Sequence, residues 1–220
     1  MAFLSTGEAT TLPTYLPQPG TNLGATNTFS NPVKSLPPQP PDACGAAPPE
    51  VVNDYTGLVL SLQAPRNVSA LSFKFQFFST EYPEYVCQMF NDRFLVVLQD
   101  LAGTASENIA FDSAMHAVSV NNSFFTVCTN GSAGPQTMHC TQPITDIKDT
   151  GYDKPDVLSG NPQLGGATGW LTTTAPVTPG ATIKLRFIIY DEFDHIYDSA
   201  VVLDDFEWLS NKISSPVTVP

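Results

Sequence analysis

The sequence predicts an all-β protein: a two-layer antiparallel β-sandwich of jelly-roll-like form with long loops. Short segments of alternating or continuous apolar residues recur along the chain, separated by clusters of Gly, Pro and Asn. No helical periodicity extends beyond a couple of turns. With 220 residues and 42% hydrophobic content the chain can bury one sizeable core, so we expect a single domain over residues 1–220.

The clearest strand candidates lie in the first half of the chain. Residues 56–81 hold two of them, separated by a turn at 64–67, and in the second Leu71, Phe73, Phe75 and Phe77 share one face. Residues 94–98 are apolar on both parities, as expected for a strand inside a two-layer structure. Further candidates, each bounded by turn residues, are 108–111, 117–120, 124–128, 170–174, 183–190 and 199–208.

Proline marks one long loop and cysteines bound another. Residues 31–49 are too proline-rich for a helix or a central strand, because each Pro lacks an amide donor and has a fixed φ. The second loop, residues 128–140, is polar and has a cysteine at each end. We expect both segments to be loops, with the proline-rich one extended at the surface.

The four cysteines are Cys44, Cys87, Cys128 and Cys140, and their spacing does not match a zinc site. We interpret them as two disulfides. Of the three possible pairings we favour Cys128 with Cys140, which leaves Cys44 with Cys87. Disulfides would place the protein in an oxidising compartment outside the cytoplasm. Buried free thiols in a cytosolic protein remain the alternative at this point.

The charge balance excludes two classes of partner. With 21 acidic and nine basic residues, the net charge of −12 argues against binding to a nucleic-acid backbone or to anionic lipid. No apolar run approaches the roughly 18 residues of a membrane span, so direct membrane insertion is not expected. The N-terminus lacks the regions of a signal peptide, and we expect any such peptide to have been removed. Cations are the expected small partners.

Carboxylates are concentrated between residues 190 and 208. Six of them lie within residues 191–205: Asp191, Glu192, Asp194, Asp198, Asp204 and Asp205. If 199–208 is a regular strand, Asp204 points to the same side as Phe206 and Trp208, towards the core. A buried carboxylate needs a partner, and with so few basic residues the expected partner is a metal ion, with Lys184 and Arg186 as alternatives.

A second acidic segment, residues 79–92, supplies further oxygen donors. Glu81 and Glu84 flank a Tyr-Pro turn, and Asn91 and Asp92 precede the apolar run at 94–98. Carboxylate, amide and loop carbonyl oxygens suit calcium, whereas zinc prefers His and Cys. Calcium is therefore the expected ion.

Any calcium ligands would have to come from several loops. The spacing of Asp191, Asp194 and Asp198 does not match an EF-hand, and no Gly stands at the position of the sharp turn. The alternative is that these acids are solvated loop charges and strand caps. Residue chemistry alone leaves both interpretations open.

Three segments, in order, resemble the bacterial choice-of-anchor L domain family. They are "FLSTGEA", "FFSTEYPEYVCQMFNDRF" and "GWLTTTAPVTPGATIKLRFIIYDEFDHIYDSAVVLDDFEW". The resemblance covers nearly the whole chain and implies an exported module of large bacterial surface or secreted proteins, without established catalysis. Two departures are Asp205, where the family usually has Asn, and Cys87 inside the acidic segment.

The candidate metal ligands are the polar residues inside these matching segments. They are Glu81, Glu84, Asn91, Asp92, Asp191, Asp194, Asp198 and Asp204. We expect one ion or more between the 81–92 loop and the 191–204 region, at one edge of the sandwich.

Three functions compete. The first is a non-catalytic, calcium-stabilised adhesion or ligand-binding module, extracellular or at the cell surface, whose partner is a surface glycan or a protein. Aromatic residues in the acidic loops would bind the ligand by stacking: Tyr82, Tyr85, Tyr190, Phe193 and Tyr197. The alternative for these rings is that they cover the core.

The second function is a glycoside hydrolase that uses two of Glu81, Glu84, Asp92 and Asp194 as a catalytic pair. Paired carboxylates are required for that chemistry, but they also occur wherever calcium binds. The third is a structural spacer of a longer surface polymer, which predicts no ligand.

Overall fold

A computed structural model describes residues 1–7, 42–45, 51–101, 106–122, 124–133, 136–138, 140–153, 165–193 and 197–220. The strands are β1 Ala2–Ser5, β2 Val52–Gln63, β3 Ala70–Ser79, β4 Arg93–Asp100, β5 Glu107–Asn108, β6 Val118–Ser119, β7 Phe125–Cys128, β8 Gly131–Ala133, β9 Gln136–Met138, β10 Gln142–Pro143, β11 Gly166–Thr168, β12 Leu171–Pro176, β13 Thr182–Glu192, β14 Ser199–Leu209 and β15 Val217–Val219. A 3-10 helix spans Ile144–Ile147. The described residues include no helix long and apolar enough to cross a membrane.

The strands form two packed sheets, which confirms the predicted all-β sandwich. The first sheet runs β1-β14-β3-β11-β7-β10, with β12 also beside β3 and β15 beside β12. The second runs β2-β13-β4-β5, with β6 also beside β4. All of these pairs are antiparallel except β7 with β10. β8 and β9 form a separate hairpin.

The main core lies between the inner faces of the two sheets. As predicted, Leu71, Phe73, Phe75 and Phe77 of β3 share its inner face, and all four are buried. Phe73 meets Phe187 of β13 edge-to-face across the core, with ring centroids 5.2 Å apart. Full burial of such a side chain contributes about 1.5–3 kcal/mol, so this layer holds the sheets together.

The outer faces are partly covered as well. On the first sheet, Phe78 packs against Tyr152, with ring centroids 5.4 Å apart. On the second sheet, Leu95, Val97 and Tyr190 form a small separate cluster. This second covering explains why residues 94–98 are apolar on both parities, since β4 is buried on both faces.

Both favoured disulfides are present. Cys44 pairs with Cys87 and Cys128 pairs with Cys140, with Cα atoms 5.4 and 5.3 Å apart. Most of the predicted proline-rich loop lies outside the described residues. Its described part, residues 42–45, forms a turn in which the backbone N–H of Gly45 donates to the carbonyl of Asp42.

The prediction that Asp204 points to the core is wrong. The register between β14 and β3 shifts between Asp204 and Glu207, and Asp205 has a φ of +54°. This bulge adds a residue, so Trp208 faces inward opposite Leu71 while Asp204 faces outward. Asp204 is exposed and its Oδ1 lies 3.3 Å from the N-terminal ammonium. Counting alternate residues back from Trp208 therefore assigns Asp204 to the wrong face, because the bulge adds one residue between them.

Candidate functional site

Two connections cross between the sheets at the same end of the sandwich. One joins the end of β3 to the start of β4, and the other joins the end of β13 to the start of β14. Because β3 pairs antiparallel with β14, and β13 with β4, these four strand ends meet. Four acids stand there and are at most 2% exposed: Glu81, Asp92, Asp191 and Asp198. We call them the acidic cluster.

Strand alternation directs the acidic cluster inward. Asp191 has the parity of Phe187 and Ile189 on β13, and both belong to the main core. Asp92 has the parity of Phe94 at the start of β4. The carboxylates therefore close the end of the apolar core, where each charged group carries a desolvation cost.

Part of the acidic cluster is hydrogen-bonded within the chain. The Ser199 hydroxyl donates to Asp92 Oδ2 at 2.6 Å, and the backbone N–H of Asp92 donates to Glu81 Oε2 at 3.3 Å. Among the described residues, neither oxygen of Asp191 has a hydrogen-bond partner of good geometry, and neither does Asp198 Oδ2. These buried oxygens are acceptors that the described residues leave without a hydrogen bond of good geometry.

Electrostatics favours the protonated form of these acids. Burial, followed by the negative charges of Asp92, Glu81 and Asp198, holds the pKa of Asp191 well above its usual range, and a contact from Thr6 only partly opposes this. Burial, followed by the charges of Asp92 and Asp54, raises the pKa of Asp198 to about 8. The charged side chains acting on both groups are all carboxylates. The site is therefore suited to a cation or a proton.

A different polar group lies beside the acidic cluster, towards the outer face of the second sheet. Here Arg93 is fully buried and its Nε lies 2.6 Å from Glu192 Oε1. Burial raises the pKa of Glu192 to about 7, although the charge of Arg93 opposes the rise. The Asn91 amide donates to Glu192 Oε2 at 3.5 Å and to Asp42 Oδ2 at 3.2 Å.

Asp42 connects this second group to a disulfide. Its Oδ2 accepts from the amide of Asn121 at 2.6 Å, and its Oδ1 accepts from the backbone N–H of Cys44 at 2.9 Å. Asn121 Oδ1 in turn accepts from the backbone N–H of Cys87. The Cys44–Cys87 bridge therefore holds Asp42 against the amides. Arg93, Glu192, Asn91, Asp42 and Asn121 are called the paired network below.

The structure brings together four of the eight predicted metal ligands, the members of the acidic cluster. Asn91 lies in the paired network, where its Oδ1 accepts from the backbone N–H of Asn121 at 3.2 Å. Glu84 is half-buried in the turn after Glu81. Asp204 lies on the opposite side of β14 and does not join the cluster, which corrects its assignment as a ligand. Asp194 lies outside the described residues.

The described residues, in their present arrangement, contain no group of three or more His, Cys, Asp or Glu side chains able to hold a metal ion. A bound ion would therefore require the carboxylates of the acidic cluster to close on it. Their oxygens are of the hard type that calcium takes, and calcium tolerates variable geometry. The prediction of calcium stays a prediction.

Two of the five aromatic candidates are not available for stacking on a ligand. Tyr82 is buried and stacks on Phe125, with ring centroids 4.3 Å apart. Tyr190 is fully buried in the outer cluster of the second sheet. These two residues follow the alternative interpretation, in which the rings cover apolar clusters of the fold.

The other three candidates lie in or beside the two connections. Tyr85 and Tyr197 meet across them with ring centroids 5.5 Å apart. Phe193 is 52% exposed and has a φ of +71°. We call these three residues the aromatic rim. They lie on the same two connections as the acidic cluster.

Sequence reasoning missed several members of these groups. Asp54, buried in β2 at a φ of +47°, acts electrostatically on Asp198. Asp42 lies in the proline-rich loop. Within that loop, nothing except the nearby Cys44 indicated contact with the rest of the protein. Arg93 was not singled out in the sequence, although a basic residue directly after Asp92 could have indicated a buried ion pair.

The sequence matches the Choice-of-anchor L domain over residues 4–207. The chain belongs to this family. The matched range includes both connections, the acidic cluster and all five residues of the paired network. Neither the comparison with curated proteins nor the comparison with solved structures found a match.

Family membership confirms the resemblance seen in the sequence. Choice-of-anchor L domains are surface-associated, non-enzymatic modules of exported proteins. The two disulfides agree with this, because they persist in oxidising compartments. Both observations point to an exported, cell-surface protein.

Proposed function

We propose that this Choice-of-anchor L domain is a non-catalytic, extracellular adhesion or ligand-binding module that binds calcium at its acidic cluster. The observation that carries the proposal is Asp191, whose two carboxylate oxygens are buried, unsatisfied within the described residues and surrounded by carboxylates. A divalent cation would offset the repulsion and fill these acceptors together.

The donor chemistry favours calcium over other ions. Glu81, Asp92, Asp191 and Asp198 offer carboxylate oxygens, and no His or Cys is among them. Calcium takes about six to eight oxygen ligands at variable angles, and loop carbonyls and waters can complete the shell. Magnesium demands a stricter octahedron and retains its water, which suits a buried site less well.

Calcium bound at the acidic cluster would hold the two sheets together at this end of the sandwich. Its ligands would come from the two connections and the strand ends beside them. The ion would therefore tie the β3–β4 connection to the β13–β14 connection. It would also hold the aromatic rim, because Tyr85 and Tyr197 stand on the same two connections. The rim would then bind a surface glycan or a protein ligand by ring stacking.

A thermal melt of the purified domain tests the calcium site. We expect calcium to raise the melting temperature relative to excess EDTA, and magnesium to do so much less. At a hundred times Kd, binding stabilises the folded state by about 2.7 kcal/mol, which a melt resolves. An identical midpoint in EDTA and in calcium would reject the site.

A glycan array with and without EDTA tests the ligand-binding role. Binding by the aromatic rim should be lost in EDTA and in Tyr85→Ala. Trp170→Ala removes an aromatic ring that is 43% exposed and does not belong to the aromatic rim, and it should leave binding unchanged. A calcium-stabilised domain that binds neither glycans nor proteins would be a structural spacer.

The glycoside hydrolase alternative gains no support from the geometry. Glu81 and Asp92 are fully buried, so neither can reach a glycosidic bond or an attacking water. Glu84 is half-buried and Asp194 lies outside the described residues. We therefore retain the binding module as the proposed function.

A further inference from the structure

The second sheet ends in an unusually long edge strand. β2 spans Val52–Gln63, and β13 is the one described strand that pairs with it. The other described edge strands of the two sheets, β1, β5, β6, β10 and β15, have only two to four residues each. Proteins keep open edges short, charged or interrupted by Pro, since an open edge offers its N–H and C=O groups to another strand.

The β2 edge has none of these protections over most of its length. Residues 56–63, "TGLVLSLQ", contain no charged residue and no Pro, although the chain has a net charge of −12. Val59 is 55% exposed on the outer face. On the inner face Leu58, Leu60 and Leu62 are only partly buried against the main core.

We propose that β2 of one copy pairs antiparallel with β2 of a second copy, which joins the second sheets of two molecules into one continuous sheet. The contact would be isologous, with a two-fold axis through the strand pair. Each copy would satisfy the open backbone groups of the other by β-augmentation. The proposal does not depend on calcium.

The leucine pattern favours a second copy over an unrelated strand. Leu58, Leu60 and Leu62 are symmetric about Leu60, so antiparallel pairing centred there sets Leu60 against its own counterpart and Leu58 against Leu62 of the second copy. A two-fold axis perpendicular to the sheet keeps all six leucines on the inner side. The absence of charge along this strip lets two acidic chains approach without direct like-charge contacts.

Sedimentation equilibrium of the full chain at physiological salt tests the proposal. We expect the wild type to reach twice the mass of the 23.7 kDa chain as concentration rises. Val59→Lys places a charge on the edge and should give a monomer that is still folded, as shown by an unchanged circular dichroism spectrum. The control Val217→Lys changes a valine of similar exposure, 45%, on β15 and should remain a dimer. A monomeric wild type, or a dimeric Val59→Lys, would overturn the proposal.

Crosslinking tests the register. Under mild oxidation Leu60→Cys should form a disulfide with its own counterpart, because directly opposed residues bring their Cα atoms within bridging distance. Leu58→Cys should crosslink with Leu62→Cys in a mixture but not with itself. A dimer that crosslinks through Leu58→Cys alone would overturn pairing about Leu60.

Discussion

The acidic cluster and the paired network lie side by side, yet the chain neutralises them differently. Around Glu192 the chain supplies its own cation, with Arg93 Nε at 2.6 Å, and the Asn91 amide. Around Asp191 it supplies further carboxylates. Strand alternation separates the two groups, because residues 92 and 191 face inward while residues 93 and 192 face outward.

This difference indicates that only one group is completed by folding. The paired network contains its own cation and amides and is attached to a disulfide, so its contribution to stability should not depend on calcium. The acidic cluster needs a proton or an ion from outside, so its contribution should vary with pH and with calcium.

The largest expected effect comes from breaking the paired network at its cation. Arg93→Met leaves Glu192 buried without its partner, and loss of one member of a buried pair costs about 3–5 kcal/mol. Chemical denaturation at pH 8 should show this loss equally in EDTA and in calcium. Lys74→Met removes the exposed ion pair with Asp205 and should change stability little. A loss for Arg93→Met that appears only in calcium would contradict the separation of the two groups.

A rise in pH should destabilise the calcium-free protein. Burial, followed by the charge of Asp92, raises the pKa of Asp198 from 3.8 to about 8 in the folded state. Between these values the folded state binds more protons than the unfolded chain, so stability falls as pH rises, by at most about 1.4 kcal/mol per pH unit for one group.

Denaturation in EDTA at pH 5 and pH 8 measures this slope. We expect lower stability at pH 8, and we expect calcium to restore it because the ion competes with the proton for the same oxygens. Greater stability at pH 8 than at pH 5 in EDTA would contradict a raised pKa of Asp198 in the folded state.

A smaller effect should come from the amide side of the paired network. Asn121→Ala removes the 2.6 Å hydrogen bond to buried Asp42 and the acceptor for the Cys87 N–H. A buried carboxylate that loses such a partner costs about 1–3 kcal/mol. Melting should show the same decrease with and without calcium, and Asn67→Ala at an exposed turn should show none.

The sequence predicted the sandwich because its longest strands alternate cleanly. β3 alternates from Leu71 to Phe77, and the continuous apolar run in β4 was interpreted correctly as a strand between two covered faces. Short strands such as β10 and β11 were missed, because two or three residues give no periodicity. The family resemblance showed that the two acidic segments occur in the order found in the family. In the structure, four carboxylates from these segments lie together.

The rest of the site depended on features that periodicity does not reveal. Asp204 was misplaced because a bulge is a single-residue insertion without a sequence signal of its own. Asp42 reaches the site through a disulfide and two amides contributed by distant segments. Tyr82 and Tyr190 were assigned to loops, but one stacks in the main core and the other on the outer face.

Calcium-dependent melting of Asp191→Asn beside Asp204→Asn tests the central claim most directly. Both substitutions replace one carboxyl group by an amide of the same shape, but Asp191 is buried in the acidic cluster and Asp204 is exposed at the bulge. We expect calcium to raise the midpoint of the wild type and of Asp204→Asn equally. Asp191→Asn should be at least as stable as the wild type in EDTA and should not respond to calcium. An unchanged calcium response in Asp191→Asn would contradict the account.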